Sequence, residues 1–217
     1  MRISSTLLFL CFLIQSGLAQ VESRHFEYGT TLITVNALKN SKDNYQERAA
    51  AEILNAVFFR FNTKAKAFRF ATSYNNYYHA YASPIGSYDG FSGTDQFSDF
   101  RIGIGAQALL LKKKDWLYTC LDLYYRHVKS HGTFTGGIRG ANETYQSTAN
   151  GFDCFTGLGF KIKIISQLYL SPEFGFLLMN KAVQKTTVPN TFGITTQVHY
   201  TETSLFPQLK CHLIVMF

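Results

Sequence analysis

No apolar run in this chain reaches the roughly 20 residues that a membrane-crossing helix needs. Cysteine is also scarce. Cys11 lies in the leader described below, so three remain: Cys120, Cys154 and Cys211. An odd number excludes a complete disulfide framework. Strand alternation sets Cys120 on one face and Cys154 and Cys211 on the other, on non-adjacent strands, so free thiols are expected. No Cys-x-x-Cys spacing occurs and no metal or other cofactor is expected. No glycine-rich phosphate loop precedes a helix. Basic residues do not cluster with aromatics as in a nucleic-acid module, so nucleic acid is not an expected partner.

What is present begins with a leader. Arg2 supplies a positive start, Ile3–Ile14 a short apolar core, and Gly17-Leu18-Ala19 the small residues of a cleavage site. Cleavage between Ala19 and Gln20 is expected, making 1–19 a signal peptide and 20–217 a single domain. Losing Arg2 lowers the net charge from +7 to +6. A basic exported protein favours anionic lipid or polysaccharide.

The rest of the chain alternates. Leu205, Pro207, Leu209, Cys211, Leu213, Val215 and Phe217 form one apolar row, while Ser204, Phe206, Gln208, Lys210, His212 and Ile214 form a mixed row on the other. Side chains of a strand point alternately to opposite faces, so this is a strand with one apolar face. The pattern recurs over 26–32, 52–61, 68–75, 100–110, 117–126, 152–164 and 167–178, giving eight strands. Most reach the 9–11 residues that cross a bilayer at a tilt. Short connections (62–65, 112–115, 165–167) alternate with long polar ones (39–51, 81–96, 131–149, 181–203). The segment 47–55, rich in Ala and Glu, also reads as a short helix. Tyr74, Tyr77, Tyr78 and Tyr81 gather at one expected rim, and Trp116, Tyr118 and Phe217 at the other.

The apolar row carries almost no charge. The opposite row collects Glu27, Glu52, Asp122, Asp153 and Glu173 against Arg60, Arg69, Arg101, Arg126, Lys161, Lys163 and Lys210. In an eight-stranded barrel, whose interior is just wide enough for side chains, such a set is expected to form a paired plug. A narrow anion-preferring pore is the functional alternative. A soluble lipocalin-like binder, with the two faces reversed, is the other. Inward Gly103, Gly105, Gly157 and Gly159 would make room for long Arg and Lys side chains.

Leader, alternating strands, loop asymmetry and terminal Phe217 together resemble the small bacterial outer-membrane β-barrels, the OmpX-like proteins and the membrane domain of OmpA-like ones. The resemblance implies an all-β, eight-stranded antiparallel up-and-down transmembrane barrel in the bacterial outer membrane. It also implies that Leu209, Leu213, Val215 and Phe217 carry a signal for the barrel-assembly machinery. The other expected partners are outer-membrane lipid and an unidentified ligand of the outside loops, with the protein a monomer. No peptidoglycan-binding domain follows Phe217, so an anchoring role is not expected.

Two catalytic arrangements occur on barrels of the kind this chain resembles. The lipid-A deacylases of the family resemble a His-x-Ser pair, but here Ser130 stands three residues from His127, on the opposite face. Asp89, Asp95 and Asp99 near His79 resemble an Asp/His protease rim, though scattered Asp is common in polar loops. No enzyme activity is expected.

Overall fold

The computed structural model describes residues 25–36, 52–63, 66–82, 90–111, 114–136, 141–189 and 194–217. Ala19, Gln20 and the whole of the first long connection, 39–51, lie outside these residues. The described chain forms β1 (His25–Asn36), β2 (Glu52–Asn62), β3 (Lys66–Ala82), β4 (Phe91–Leu111), β5 (Lys114–Gly136), β6 (Ala141–Phe160), β7 (Ile162–Ile165), β8 (Leu168–Pro189) and β9 (Thr196–Met216).

Sequence neighbours pair antiparallel, except that β6 and β7 both pair with β8, and β1 returns to β9 through a ladder from Glu27↔Met216 to Asn36↔Gln208. β7 continues β6 along β8 beyond a break at Lys161, with Ile162 opposite Leu170. Nine elements therefore make eight staves of a closed up-and-down ring. Closure protects the strand edges over the short-turn half; beyond Gln208 on β9 and Ser73 on β3, one edge has no ladder partner among the described residues.

The short-turn end is tied by backbone and side chain together. Thr63 donates to the Lys66 carbonyl through both its N–H (2.7 Å) and its hydroxyl (2.8 Å). The Lys161 amide reaches the Trp116 carbonyl at 2.7 Å, so the break in β6 does not open the wall. Phe217 closes the ring by donating to the Phe26 carbonyl at 3.1 Å. At the far end of β5, Gly136 has φ +105°, a conformation that glycine adopts without strain.

Two expectations fail here. The segments 131–149 and 181–203 are mostly strand rather than loop, and 81–82 and 91–96 of 81–96 are strand: pairing runs to Ala82↔Ser92, Gly136↔Ala141 and Thr187↔Thr196. Thr, Ser, Asn and Gln occupy both faces there, so backbone pairing continues where apolar alternation stops. The helical reading of 47–55 also fails for residues 52–55, which lie in β2 with Ile53 opposite Ile33. Residues 47–51 lie outside the described part.

Candidate functional site

Charged side chains fill the lumen in tiers. Nearest the short turns, Glu27 accepts from Arg60 Nη1 at 2.9 Å, pairs with Lys161 Nζ, and lies 3.3 Å from His25 Nε2. In the middle stands Glu173, fully buried. Arg69 Nη2 donates to it at 3.0 Å, and Tyr118 donates at 2.8 Å while sharing a 2.5 Å bond with Ser171. Arg69 Nη1 and His212 Nε2 lie 2.8 and 3.2 Å from its oxygens as ion-pair contacts rather than aligned hydrogen bonds, and Arg60 Nη2 lies at 3.7 Å. Asp122 completes this tier, 3.3 Å from Arg69 Nε and 3.9 Å from Lys210.

In the third tier Asp99 is clamped by Arg126, with bonds of 3.0 and 2.8 Å, and by Arg101 at 2.5 Å. Asp153 is buried in the field of the same two arginines without a hydrogen bond of its own. Arg60 and Arg69 each meet two carboxylates, and Asp99 meets two guanidiniums; such pairing is what makes buried charge tolerable.

Aromatic rings pack the spaces between tiers. The Arg60 guanidinium lies 5.5 and 5.2 Å from the Phe58 and Tyr118 ring centres, and Lys210 Nζ lies 3.8 Å from that of Phe155. Tyr118 can lie across the lumen because its neighbour is Gly159: a Cβ there would sit 2.3 Å from the tyrosine ring. Tyr118 is thus an interior residue, contrary to its expected place in a rim.

Ten of the twelve charged residues expected inside therefore meet in these tiers. The other two do not: Lys163 is exposed, on the short, register-shifted β7, and of Glu52 only the backbone is described, opposite Thr34. Sequence reading missed Asp99, His212, Ser171 and the lumenal role of Tyr118. Extending the Arg101–Gly103 alternation back by two residues would have found Asp99. Leu209 and Phe217 are exposed on the outer face of β9, and Leu213 and Val215 half-exposed on the same row.

Above the third tier the wall changes sides. On β5 the outward row runs Leu121, Leu123, Tyr125 and then His127, Lys129, His131, Thr133. On β6 it runs Leu158, Thr156, Cys154, Phe152 and then Asn150, Thr148, Gln146; on β8, Phe174, Phe176, Leu178 and then Asn180, Ala182, Gln184. The inward row makes the opposite change. Charged Asp122 and Arg126 give way to Val128, which packs with Ala149, Val183 and Phe97 in a small apolar cluster. Val128, Ala149 and Val183 are direct cross-strand partners. On β5, β6 and β8 the outer face therefore turns from apolar to polar above this level.

The outward apolar band is aromatic at both margins. Trp116 stacks on Phe160 at 5.9 Å near the short turns, and Tyr125 meets Phe152 edge-on at 5.9 Å where the polarity changes. Phe152 is 70% exposed.

Catalytic constellations are not assembled among the described residues. His127 bonds Asn150 at 2.6 Å on the outer face, and Ser130 lies on the other face of β5. His127 and His131 do carry the His-x-x-x-His spacing, which converges on a helix; on a strand it separates them by about 13 Å. The backbone register sets His79 opposite Asp95, while Asp99 is committed to its two arginines and Asp89 lies outside the described residues. Cys120, Asp122 and Glu173 bring ligand atoms within 4.8 Å of one another, but Arg69 and Lys210 already occupy the carboxylates, so a metal does not suit the site.

No family model matches the chain, and no curated protein matches its sequence. Among solved structures it is similar to the ferric yersiniabactin uptake receptor FyuA of Yersinia pestis, at 11% identity and TM-score 0.45 over 72% of this chain and 24% of that one. It spans about a quarter of that receptor. It is also similar to the attachment invasion locus protein Ail of Yersinia pestis (10%, TM-score 0.41, 89% and 97%). The translocator domain of the autotransporter NalP of Neisseria meningitidis is a third (10%, TM-score 0.44, 98% and 94%). Each TM-score lies below 0.5, and placement in a membrane must come from the chain's own faces. By its own strands, the chain is an eight-stranded antiparallel up-and-down β-barrel, the architecture of the small outer-membrane barrels it resembles.

Proposed function

We propose that the barrel sits in a bacterial outer membrane, its apolar band in lipid and its lumen closed, and that it acts through the three polar hairpins beyond the band. The reversal of polarity along single strands carries this reading. A soluble barrel would be polar outside over its whole height, and the outward Phe and Leu of all eight staves would form far more exposed apolar surface than a soluble monomer shows. The band also has the right height, nine residues from Phe152 to Phe160 on β6 and eleven from Phe100 to Leu110 on β4.

The closed lumen is supported by its contents. A cavity of about 50 Å³ lies among the charge tiers, lined by Arg69, Arg101, Asp153, Lys210 and His212. A channel needs sites that an ion can enter and leave. Here the cations and carboxylates bind one another. In planar bilayers the purified protein is expected to give no reproducible unitary conductance steps; steady openings of one size would reject the closed lumen.

On this reading the partners are the outer-membrane lipid around the band and the assembly machinery, reached through Leu209, Leu213, Val215 and Phe217. The hairpins of β3–β4, β5–β6 and β8–β9 meet a surface partner or serve the envelope itself. Binding chemistry held on a rigid scaffold is the common design, and a monomer suffices for it.

A further inference from the structure

At its short-turn end the barrel opens into a vestibule of about 660 Å³, bordered by Glu27 and Lys161 of the first charge tier. Two buried amides line it. Asn62 and Gln107 are 5% and 4% exposed, and Asn62 Nδ2 and Gln107 Oε1 find no hydrogen-bond partner among the described residues. Burying an unmatched polar atom is costly, so such atoms call for a ligand-side explanation. One of them is a donor and the other an acceptor.

Their placement is regular. Ala67 on β3 is the direct cross-strand partner of both Asn62 on β2 and Gln107 on β4. The two amides therefore flank a small residue, about 10 Å apart across three strands. Among the described residues the charge around them is mostly positive: Lys66, Lys161 and Lys163 line the vestibule, and the one carboxylate among them, Glu27, is already held by Arg60 and Lys161. A concave site walled by low-dielectric protein concentrates ions of the opposite sign.

We propose that this vestibule binds a small anionic polyol of the sugar-phosphate class. Its anionic group faces the lysines, and its hydroxyls, which both donate and accept, satisfy Asn62 and Gln107. The volume falls within the range of ordinary small-molecule sites. The site is independent of what the hairpins bind at the other end.

The test is a nuclear magnetic resonance titration of the isotope-labelled full chain in phosphatidylcholine nanodiscs, using glucose 6-phosphate as the probe. Saturable shifts of the Asn62 and Gln107 side-chain amides are expected, with glucose or inorganic phosphate binding at least about tenfold more weakly, a difference of about 1.4 kcal/mol. Gln107→Leu and Lys163→Glu should each weaken the sugar phosphate by about tenfold. Gln107→Leu should fold at least as well, since it removes an unmatched polar atom; Asn62→Leu is the second variant should either fail to fold. Absence of a saturable shift overturns the proposal, as does unchanged affinity in Gln107→Leu. Shifts produced by phosphatidylglycerol nanodiscs alone would overturn the assignment to a free solute and give the site to a lipid headgroup.

Discussion

Replacing Glu173 by leucine is expected to be the most damaging single change in the lumen, lowering stability by about 3–5 kcal/mol. Its carboxylate is the meeting point of Arg69, Arg60, His212 and the Tyr118 hydroxyl. Leucine nearly matches its volume but leaves two guanidiniums in a sealed interior with one fewer counter-charge, and desolvation then goes unopposed. Glu173→Gln, which keeps an acceptor for Tyr118 and Arg69, should lose less. Urea unfolding in lipid vesicles measures both. A loss below about 1 kcal/mol for Glu173→Leu, the value of a surface pair, would mean that the tiers do not seal the lumen.

The second large effect is on the opposite face. Leu121 is 48% exposed near the middle of the outward band. Leu121→Arg should cost about 2–4 kcal/mol in a bilayer, the value for a cation at the midplane of a barrel wall. His131→Arg lies on the same strand and the same outward row, but above the change in polarity. It should be nearly neutral. The contrast between the pair matters more than either value, because strand, face and introduced side chain are all held constant.

The lower half of the barrel was legible in sequence because period-two alternation separates charge from Phe, Leu and Ile most sharply there. Arg69 between Phe68 and Phe70, or Arg101 between Phe100 and Ile102, admits one facing. The upper half was not legible. Where outward residues become Asn, Gln and Thr and inward ones become Val, Ala and Ser, alternation no longer marks a strand, so paired hairpins read as loops. Asp99 was missed at that boundary, next to outward Ser98. His212 sits on the inward row but was not counted among its charges. Lys163 went astray for another reason. Alternation does not carry through the break at Lys161, and the register shift between Lys163 and Ile165 leaves that side chain exposed at the rim. Neither Asn62 nor Gln107 could stand out in sequence, because what distinguishes them is burial without a partner, a property of the assembled wall.

The most direct test of the account is depth-resolved accessibility of spin labels on the outward row. Single cysteines at Leu121, Phe176, His131 and Gln184, in a background lacking Cys120, Cys154 and Cys211, would be labelled and the protein folded into vesicles. Labels at 121 and 176 should relax with oxygen, which concentrates in lipid, and be shielded from a water-soluble nickel complex; labels at 131 and 184 should show the reverse. Equal exposure of all four sites to the aqueous reagent would contradict the membrane placement and the two-solvent reading of the wall.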